Sequence, residues 1–129
     1  MSGNSVALDT SVAIDVLADR AASLTSQPIT EFLLPVPVVG ELRYGALNSR
    51  RADENVVEVE RLVARCHILD ITLATAEVYA RLRLDLKKKG KPIPENDLWI
   101  ASLALQHSLP VVTRDTHFEW VTGLNRVNW

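Results

Sequence analysis

The sequence predicts an α/β fold, in which a mainly parallel β-sheet lies between layers of helices. Short apolar runs alternate with longer stretches whose apolar residues recur at helical spacing, and this alternation is typical of parallel sheets. The chain has 129 residues, of which 47% are hydrophobic and 23% are charged, which is the balance of a folded protein rather than a disordered one. We therefore expect one domain that covers residues 1–129.

The strands are predicted from short apolar runs that end in polar or turn-forming residues. They are expected at residues 6–8, 32–34, 67–71 and 109–113, with a last short strand near Val127. The helices are predicted from apolar positions that recur every three or four residues. They are expected from Thr10 onward and at residues 38–45, 53–65, 74–89 and 95–107.

Several helix ends are also specified by the sequence. Thr10 and Ser11 offer hydroxyl groups that can cap the first helix. The lysines at 87–89 suit a solvated helix C-terminus, where their charge complements the helix dipole. Residues 90–94 contain two prolines and a glycine, so they form a loop, and Asp97 falls in the first turn of the helix that follows.

Composition excludes several classes of protein. A formal net charge of −2 gives no general basic surface, so nucleic-acid binding would need local cations or bridging metal ions. Cys66 is the only cysteine, which excludes an internal disulfide and a multi-cysteine zinc site. The N-terminal stretch lacks a basic leader, and no apolar run is long enough for a transmembrane helix. We expect a cytoplasmic protein.

Four of the sixteen carboxylates occupy unusual positions. Asp9 ends the first strand, Asp115 follows the last buried strand, and Asp97 opens a helix. Glu41 is expected on the same face of its helix as its apolar neighbours. Because ligands of open α/β sheets bind at the carboxyl ends of the strands, Asp9 and Asp115 are expected to be neighbours in space.

A cluster of carboxylates indicates a metal ion. The charges repel one another unless a cation neutralises them, and ligation by oxygen alone favours a hard ion such as Mg²⁺ or Mn²⁺. The helix dipole is expected to keep Asp97 ionised. The alternative is that each of the four carboxylates caps a helix or pairs with an arginine, and the pattern alone does not decide between the two readings.

Four sequence blocks resemble the motifs of PIN-domain proteins, in the same order and with the same spacing along nearly the whole chain. They are Leu8-Asp-Thr-Ser11, Val39-Gly-Glu-Leu-Arg-Tyr-Gly45, Ile93-Pro-Glu-Asn-Asp-Leu-Trp-Ile-Ala101 and Val112-Thr-Arg-Asp-Thr-His-Phe118. The resemblance is greatest to the toxins of bacterial VapBC-type toxin–antitoxin pairs, which are single PIN domains. It implies a PIN-like fold, an α/β/α sandwich. Residues 22–28, where many relatives have a second helix, depart from the pattern because they are polar and contain Pro28.

The resemblance implies roles for particular residues. Asp9 and Asp97 would be the principal metal ligands, Glu41 would complete the catalytic acidic triad, and Asp115 would bind the metal through water or orient the nucleophile. Other positions would hold the carboxylates or waters in place, although each could equally be an ordinary cap or strand-end hydroxyl. These are Thr10, Ser11, Asn96 and Thr113. Arg43 and Arg114 lie beside the acidic positions and are candidates for binding the RNA backbone.

The implied activity is metal-dependent hydrolysis of RNA phosphodiester bonds by Mg²⁺ or Mn²⁺, with a water molecule as the nucleophile. The implied partners are an RNA substrate, a cognate VapB-like antitoxin and a second copy of the chain. An arginine of the antitoxin would replace the metal at the carboxylates. The three histidines, His67, His107 and His117, show no helical ligand pair and are interpreted as structural or surface residues.

Three other functions remain as alternatives. A PIN fold could serve only as a binding module, although the presence of all four acids argues against lost catalysis. A phosphoacceptor signalling domain also gathers aspartates and Mg²⁺, but it would need paired acids at the first strand, where Thr10 follows Asp9 here. A structure-specific DNA nuclease usually needs a longer chain.

Overall fold

The computed structural model describes residues 4–21 and 31–129, and it contains the predicted parallel sheet. Five strands lie in the order β3-β2-β1-β4-β5, and each neighbouring pair is parallel. The strands are β1 (Ser5–Leu8), β2 (Glu31–Pro35), β3 (His67–Leu69), β4 (Val111–Thr113) and β5 (Arg126–Asn128). The predicted fold class is therefore confirmed.

The helices also follow the predicted order. They are α1 (Thr10–Leu17), α2 (Val36–Leu47), α3 (Ala52–Arg65), α4 (Leu73–Lys88) and α5 (Glu95–Gln106), and a short 3₁₀ helix (Thr116–Trp120) precedes β5. Most bounds lie within about two residues of those predicted. The expectation for residues 22–28 lies outside the described residues. Within the described part of the chain, no helix is both long and apolar enough to cross a membrane.

Strand β3 is shorter than predicted, because β2 is its one partner among the described strands. The register sets His67 opposite Leu33 and Leu69 opposite Pro35, where β2 ends. Asp70 and Ile71 therefore have no residue of β2 to pair with. Apolar sequence predicts a candidate strand, whereas the neighbouring strand decides where it ends.

The core lies around the central strands β1 and β4. Leu8, Leu34, Val111 and Val112 are all at most 1% exposed, and Ile100 of α5 packs among them with no exposed surface. These apolar side chains fix where each strand ends, and thus where the polar residues after the strands emerge. The core therefore determines the position of the acidic groups at the carboxyl edge of the sheet.

Helix α1 is capped differently from the prediction. Asp9 has an extended backbone conformation, and its Oδ1 accepts a 2.9 Å hydrogen bond from the backbone N–H of Val12. The Ser11 hydroxyl donates to the same oxygen at 3.1 Å, and the buried Thr10 hydroxyl has no hydrogen-bond partner among the described residues. Neither Thr10 nor Ser11 is the cap, because the carboxylate of Asp9 already fills that position.

The lysines at the end of α4 are exposed, as expected, and two lysines there also contact the segment around the 3₁₀ helix. Lys89 Nζ donates to the carbonyl oxygen of Trp120 at 3.0 Å and also contacts the Thr122 hydroxyl. The Lys91 ammonium lies 4.3 Å from the centre of the Trp120 ring, within cation–π range. These contacts join the end of α4 to the 3₁₀ helix and thus help to position the segment that carries His117.

Replacement by alanine is expected to have opposite effects on stability at two glycines. Gly90 has φ +70° and Gly40 lies inside α2, and at neither would an added Cβ meet an atom within 4 Å. Gly90→Ala is expected to lower the free energy of unfolding by about 1 kcal/mol because alanine is strained at positive φ. Gly40→Ala is expected to raise it by about 0.5–1 kcal/mol through helix propensity. Urea denaturation measures both, and effects of the same sign would contradict this account.

Candidate active site

The carboxyl ends of β1 and β4 bring two distant residues together. Leu8 pairs with Val112 in the sheet, so the residues that follow each strand are neighbours. The hydroxyl of Thr113 donates to Asp9 Oδ2 and accepts a 2.9 Å hydrogen bond from the backbone N–H of Asp115. Asp9 is 3% exposed and Thr113 is fully buried, so this link is shielded from water. Asp9 and Asp115 are therefore close, as expected, and the hydroxyl of Thr113 links them by hydrogen bonds.

A second group consists of Asp97, Asp115 and His117. Each offers a ligand atom that lies within 4.8 Å of the other two. His117 Nδ1 is 2.9 Å from Asp115 Oδ1 and 3.3 Å from Asp97 Oδ2. Among the described residues this is the one group of three or more histidine, cysteine or acidic side chains close enough to hold a metal ion. We call it the acidic centre.

Local structure explains how the acidic centre forms. Asp97 lies in the first turn of α5, as the sequence predicts. Asp115 caps the 3₁₀ helix, and its Oδ1 accepts a 2.9 Å hydrogen bond from the backbone N–H of His117. Because the chain turns tightly there, the ring of His117 folds back over the carboxylate two residues before it. One side of the centre therefore comes from α5 and the other from the 3₁₀ helix.

The acidic centre raises the pKa of Asp97 to about 6. Burial is the largest cause, the neighbouring charge of Asp115 adds to it, and His117 opposes it. Burial and like-charge repulsion outweigh the helix dipole and raise this pKa, but a carboxyl with a pKa of about 6 is still mostly ionised at neutral pH. A cation at this position would remove the repulsion, so the two carboxylates and the imidazole form a donor set that fits a divalent metal ion.

Glu41 is placed differently from the expectation. The buried residues of α2 are Val38, Val39, Leu42 and Ala46, whereas Glu41 is exposed. It lies beside the buried stripe, because successive residues of a helix are about 100° apart and Glu41 falls just outside the buried arc. The side-chain amide of Asn96 donates to the Glu41 carboxylate. This bond joins Glu41 to the residue before Asp97.

The two candidate RNA-binding arginines already have partners. Arg43 makes a bidentate ion pair with Glu60, with N–O distances of 2.8 and 3.0 Å. Arg114 pairs with the buried carboxylate of Asp15 and lies 4.6 Å from the centre of the Trp129 ring. The pairing gives each arginine a structural role, and RNA binding by Arg43 and Arg114 stays a prediction.

The other predicted site residues are distributed around these contacts. Ser11 and Thr113 contact Asp9, and Asn96 contacts Glu41. The roles assigned to Thr10, Ser11, Asn96 and Thr113, and metal ligation by Asp9 and Glu41, stay predictions. His117 is interpreted from the sequence as a structural or surface residue, whereas the structure places its ring beside Asp97 and Asp115. The sequence feature that could have indicated this position is the Asp115-Thr-His117 spacing, because one tight turn brings the histidine ring back to the aspartate.

The strand order, and the acidic residues at the carboxyl edge of the sheet, agree with the protein family that the sequence matches. The family model for the PIN domain matches residues 6–124. The chain belongs to the PIN-domain family. This assignment covers all four sequence blocks, and it excludes the phosphoacceptor signalling domain as an alternative.

Curated relatives of this PIN domain carry ribonuclease names. "Ribonuclease VapC2" of Haemophilus influenzae is 32% identical over 126 residues, which cover 95% of this chain and 96% of the relative. "Ribonuclease VapC5" of Mycobacterium tuberculosis is 34% identical and covers 90% and 87% of the two chains. "tRNA(fMet)-specific endonuclease VapC" of Shigella flexneri is 30% identical and covers 95% and 96%. The PIN domain therefore matches these relatives along almost their whole length.

Solved structures similar to this PIN domain include toxin–antitoxin complexes. VapBC-1 of nontypeable Haemophilus influenzae superposes with a TM-score of 0.86 at 28% identity, covering 97% of this chain and 98% of the other. VapBC-5 of Mycobacterium tuberculosis, described as a member of the VapBC family of toxin–antitoxin systems, has a TM-score of 0.76 at 30% identity and covers 97% of each chain. The backbone of this PIN domain is thus similar to that of a chain in each of these VapBC structures.

Proposed function

We propose that this PIN domain is a divalent-metal-dependent endoribonuclease and the toxin of a VapBC-type toxin–antitoxin pair. The observation that carries the proposal is the acidic centre, which gathers Asp97, Asp115 and His117 in a domain whose relatives are named ribonucleases. The proposed ion is Mg²⁺ or Mn²⁺, and the proposed location is the cytoplasm. We also propose that the single domain extends over residues 1–129.

The protein's contribution to catalysis is to hold charges in place. A bound divalent ion would activate water and stabilise the charge that develops on the phosphate. Asp97 and Asp115 would hold it, and Asp115 is oriented by the hydroxyl of Thr113 and by the backbone of His117. Asp9 accepts a hydrogen bond from the Thr113 hydroxyl and so fixes its orientation. Glu41 is held by Asn96 and is exposed, so water and substrate can reach its carboxylate. No side-chain nucleophile is required.

The antitoxin is proposed to occupy a groove between α1, α2 and α3. Its lining combines apolar residues with two carboxylates, and its volume is about 410 Å³. The main lining residues are Ile14, Leu17, Leu42 and Val59, together with Glu41 and Glu58. A segment with apolar side chains and an arginine complements this surface, because the guanidinium can pair with the carboxylate of Glu41 or Glu58. The VapBC complexes among the structural neighbours support a protein partner of this kind.

A homodimer is the second proposed assembly. Leu73 and Leu84 of α4 are 90% and 52% exposed, so this helix offers apolar surface to a second copy of the chain. Sedimentation of the purified protein tests the assembly directly.

The activity is tested by incubating labelled total RNA, and separately initiator transfer RNA, with the purified protein. Each reaction is run with Mg²⁺, with Mn²⁺ and with chelator. The name of the Shigella relative makes initiator transfer RNA the first defined substrate to try. Discrete cuts that require metal and disappear in Asp9→Asn and Asp97→Asn are expected. Asp70→Asn is the matched control, since Asp70 is exposed and lies outside the acidic centre. Folded protein that cuts neither RNA with either metal would favour the binding module.

A further inference from the structure

We propose that His117 supplies a nitrogen ligand to the divalent ion of the acidic centre, so that the site binds Mn²⁺ in preference to Mg²⁺. The inference rests on the proposed function and adds to it a ligand and an ion preference. It comes from the position of His117 Nδ1, which lies against both carboxylates of the centre. The other two histidines of the sequence, His67 and His107, are not members of the described metal-binding group.

The distances suit ligands of one ion. Ligand atoms at about 2.1 Å from an octahedral ion are about 3 Å apart when they occupy neighbouring positions. His117 Nδ1 lies 2.9 Å from Asp115 Oδ1 and 3.3 Å from Asp97 Oδ2. Both distances from the imidazole are therefore those of neighbouring ligands, and all three ligand atoms lie within 4.8 Å of one another.

The backbone already holds His117 in this arrangement. Its own N–H is bonded to Asp115 Oδ1 at 2.9 Å, which fixes the residue at the start of the 3₁₀ helix. The end of that helix is held by Lys89 and Lys91 through Trp120. The imidazole is 44% exposed, so it remains accessible to an ion that enters from solvent. A ligand fixed before binding loses little conformational entropy when the ion arrives.

The donor set determines the preference between ions. Mg²⁺ favours oxygen ligands and retains several waters, whereas imidazole nitrogen suits transition metals, and an N/O site binds them more tightly along the first-row series. Two carboxylates with one imidazole therefore favour Mn²⁺. The alternative is that His117 only forms hydrogen bonds to the carboxylates, in which case the ion would have oxygen ligands alone and the imidazole would add no selectivity.

The test is pulsed electron paramagnetic resonance of the protein loaded with Mn²⁺, combined with calorimetric titration of Mn²⁺ and Mg²⁺ at one pH. The wild type is expected to show coupling of the electron spin to an imidazole nitrogen, and His117→Gln is expected to lose it. The same variant should bind Mn²⁺ at least tenfold more weakly, with about threefold or less change for Mg²⁺. His67→Gln is the matched control, because His67 is 72% exposed and pairs with Glu31 away from the centre.

Each outcome bears on a separate claim. His117→Asn is a second variant that keeps a polar group near the ring position, and circular dichroism checks that both variants fold. Mn²⁺ binding that requires Asp97 but shows no nitrogen coupling would overturn the role of His117 and leave the proposed nuclease intact. Equal loss of Mn²⁺ and Mg²⁺ affinity in His117→Gln would overturn the ion preference. A folded wild type that binds neither ion would overturn the metal-dependent function as well.

Discussion

Asp97→Asn is expected to abolish RNA cleavage and at the same time to stabilise the metal-free protein at neutral pH. The cleavage rate should fall at least ~100-fold, because the ion loses a charged ligand. Stability should rise because asparagine removes a buried charge that lies beside Asp115. The gain is expected to be about 2 kcal/mol at pH 8, less than the full pKa shift would give, since part of the carboxylate is in contact with solvent.

The pH dependence distinguishes this explanation from others. In the folded protein Asp97 has a pKa of about 6, above the ordinary value of 3.8 for an aspartate, so the folded state binds the proton more tightly. Between these two values the folded wild type holds more protons than the unfolded chain, and its stability therefore falls as the pH rises. Melting temperatures in chelator should be similar for wild type and Asp97→Asn near pH 4, should separate between pH 4 and about 6, and should keep a constant difference at higher pH. A difference that does not change between pH 4 and about 6 would contradict burial of the charge as the cause, and Asp70→Asn should show no such separation.

Thr113→Val is expected to cause the second large effect, because it removes the hydroxyl that joins Asp9 to Asp115. The change keeps the shape of the side chain but leaves the buried Asp9 carboxylate without one donor and the Asp115 N–H without its acceptor. We expect a loss of about 3 kcal/mol in the free energy of unfolding, since an unsatisfied buried polar group is costly and a charged one more so. RNA cleavage should fall with it, since Asp115 would lose its orientation.

Thr113→Ser is the matched control for this prediction. Serine keeps the hydroxyl and loses one buried methyl group, so it should cost about 1 kcal/mol and retain most of the activity. Urea denaturation and initial cleavage rates measure the two effects. If serine were destabilising and valine were not, the contribution of Thr113 would come from packing of the methyl group, which valine keeps, rather than from the hydrogen bonds.

The sequence predicts the fold well because each element has a strong local signal. The end of β1 at Asp9 and the position of Asp97 in the first turn of α5 follow from apolar periodicity and from the prolines before that helix. Parallel pairing of strands then places Asp9 near Thr113, although they are 104 residues apart in the chain. Patterns of hydrophobicity therefore locate the edge of the sheet where the acids lie.

The details of the site depend on side-chain orientation, which local patterns do not contain. Glu41 is exposed and lies just outside the buried stripe of α2, whereas the sequence places it on the buried face. His117 enters the acidic centre because a short 3₁₀ helix begins at Thr116, and a run of five residues gives no periodic signal. The pKa of Asp97 depends on its burial and on Asp115, and both arise only when α5 packs against the 3₁₀ helix.

The position of β1 between β2 and β4 also bears on how the protein is made. Strand β1 is synthesised first, yet one of its two partners, β4, comes from the last part of the chain. Asp115 and His117 follow β4, so the acidic centre cannot be complete before β4 and the 3₁₀ helix have been synthesised. Pairing between ends so far apart is also a slow step in folding. The order of strands therefore predicts that the acidic centre forms only after β4 has been made and has paired with β1.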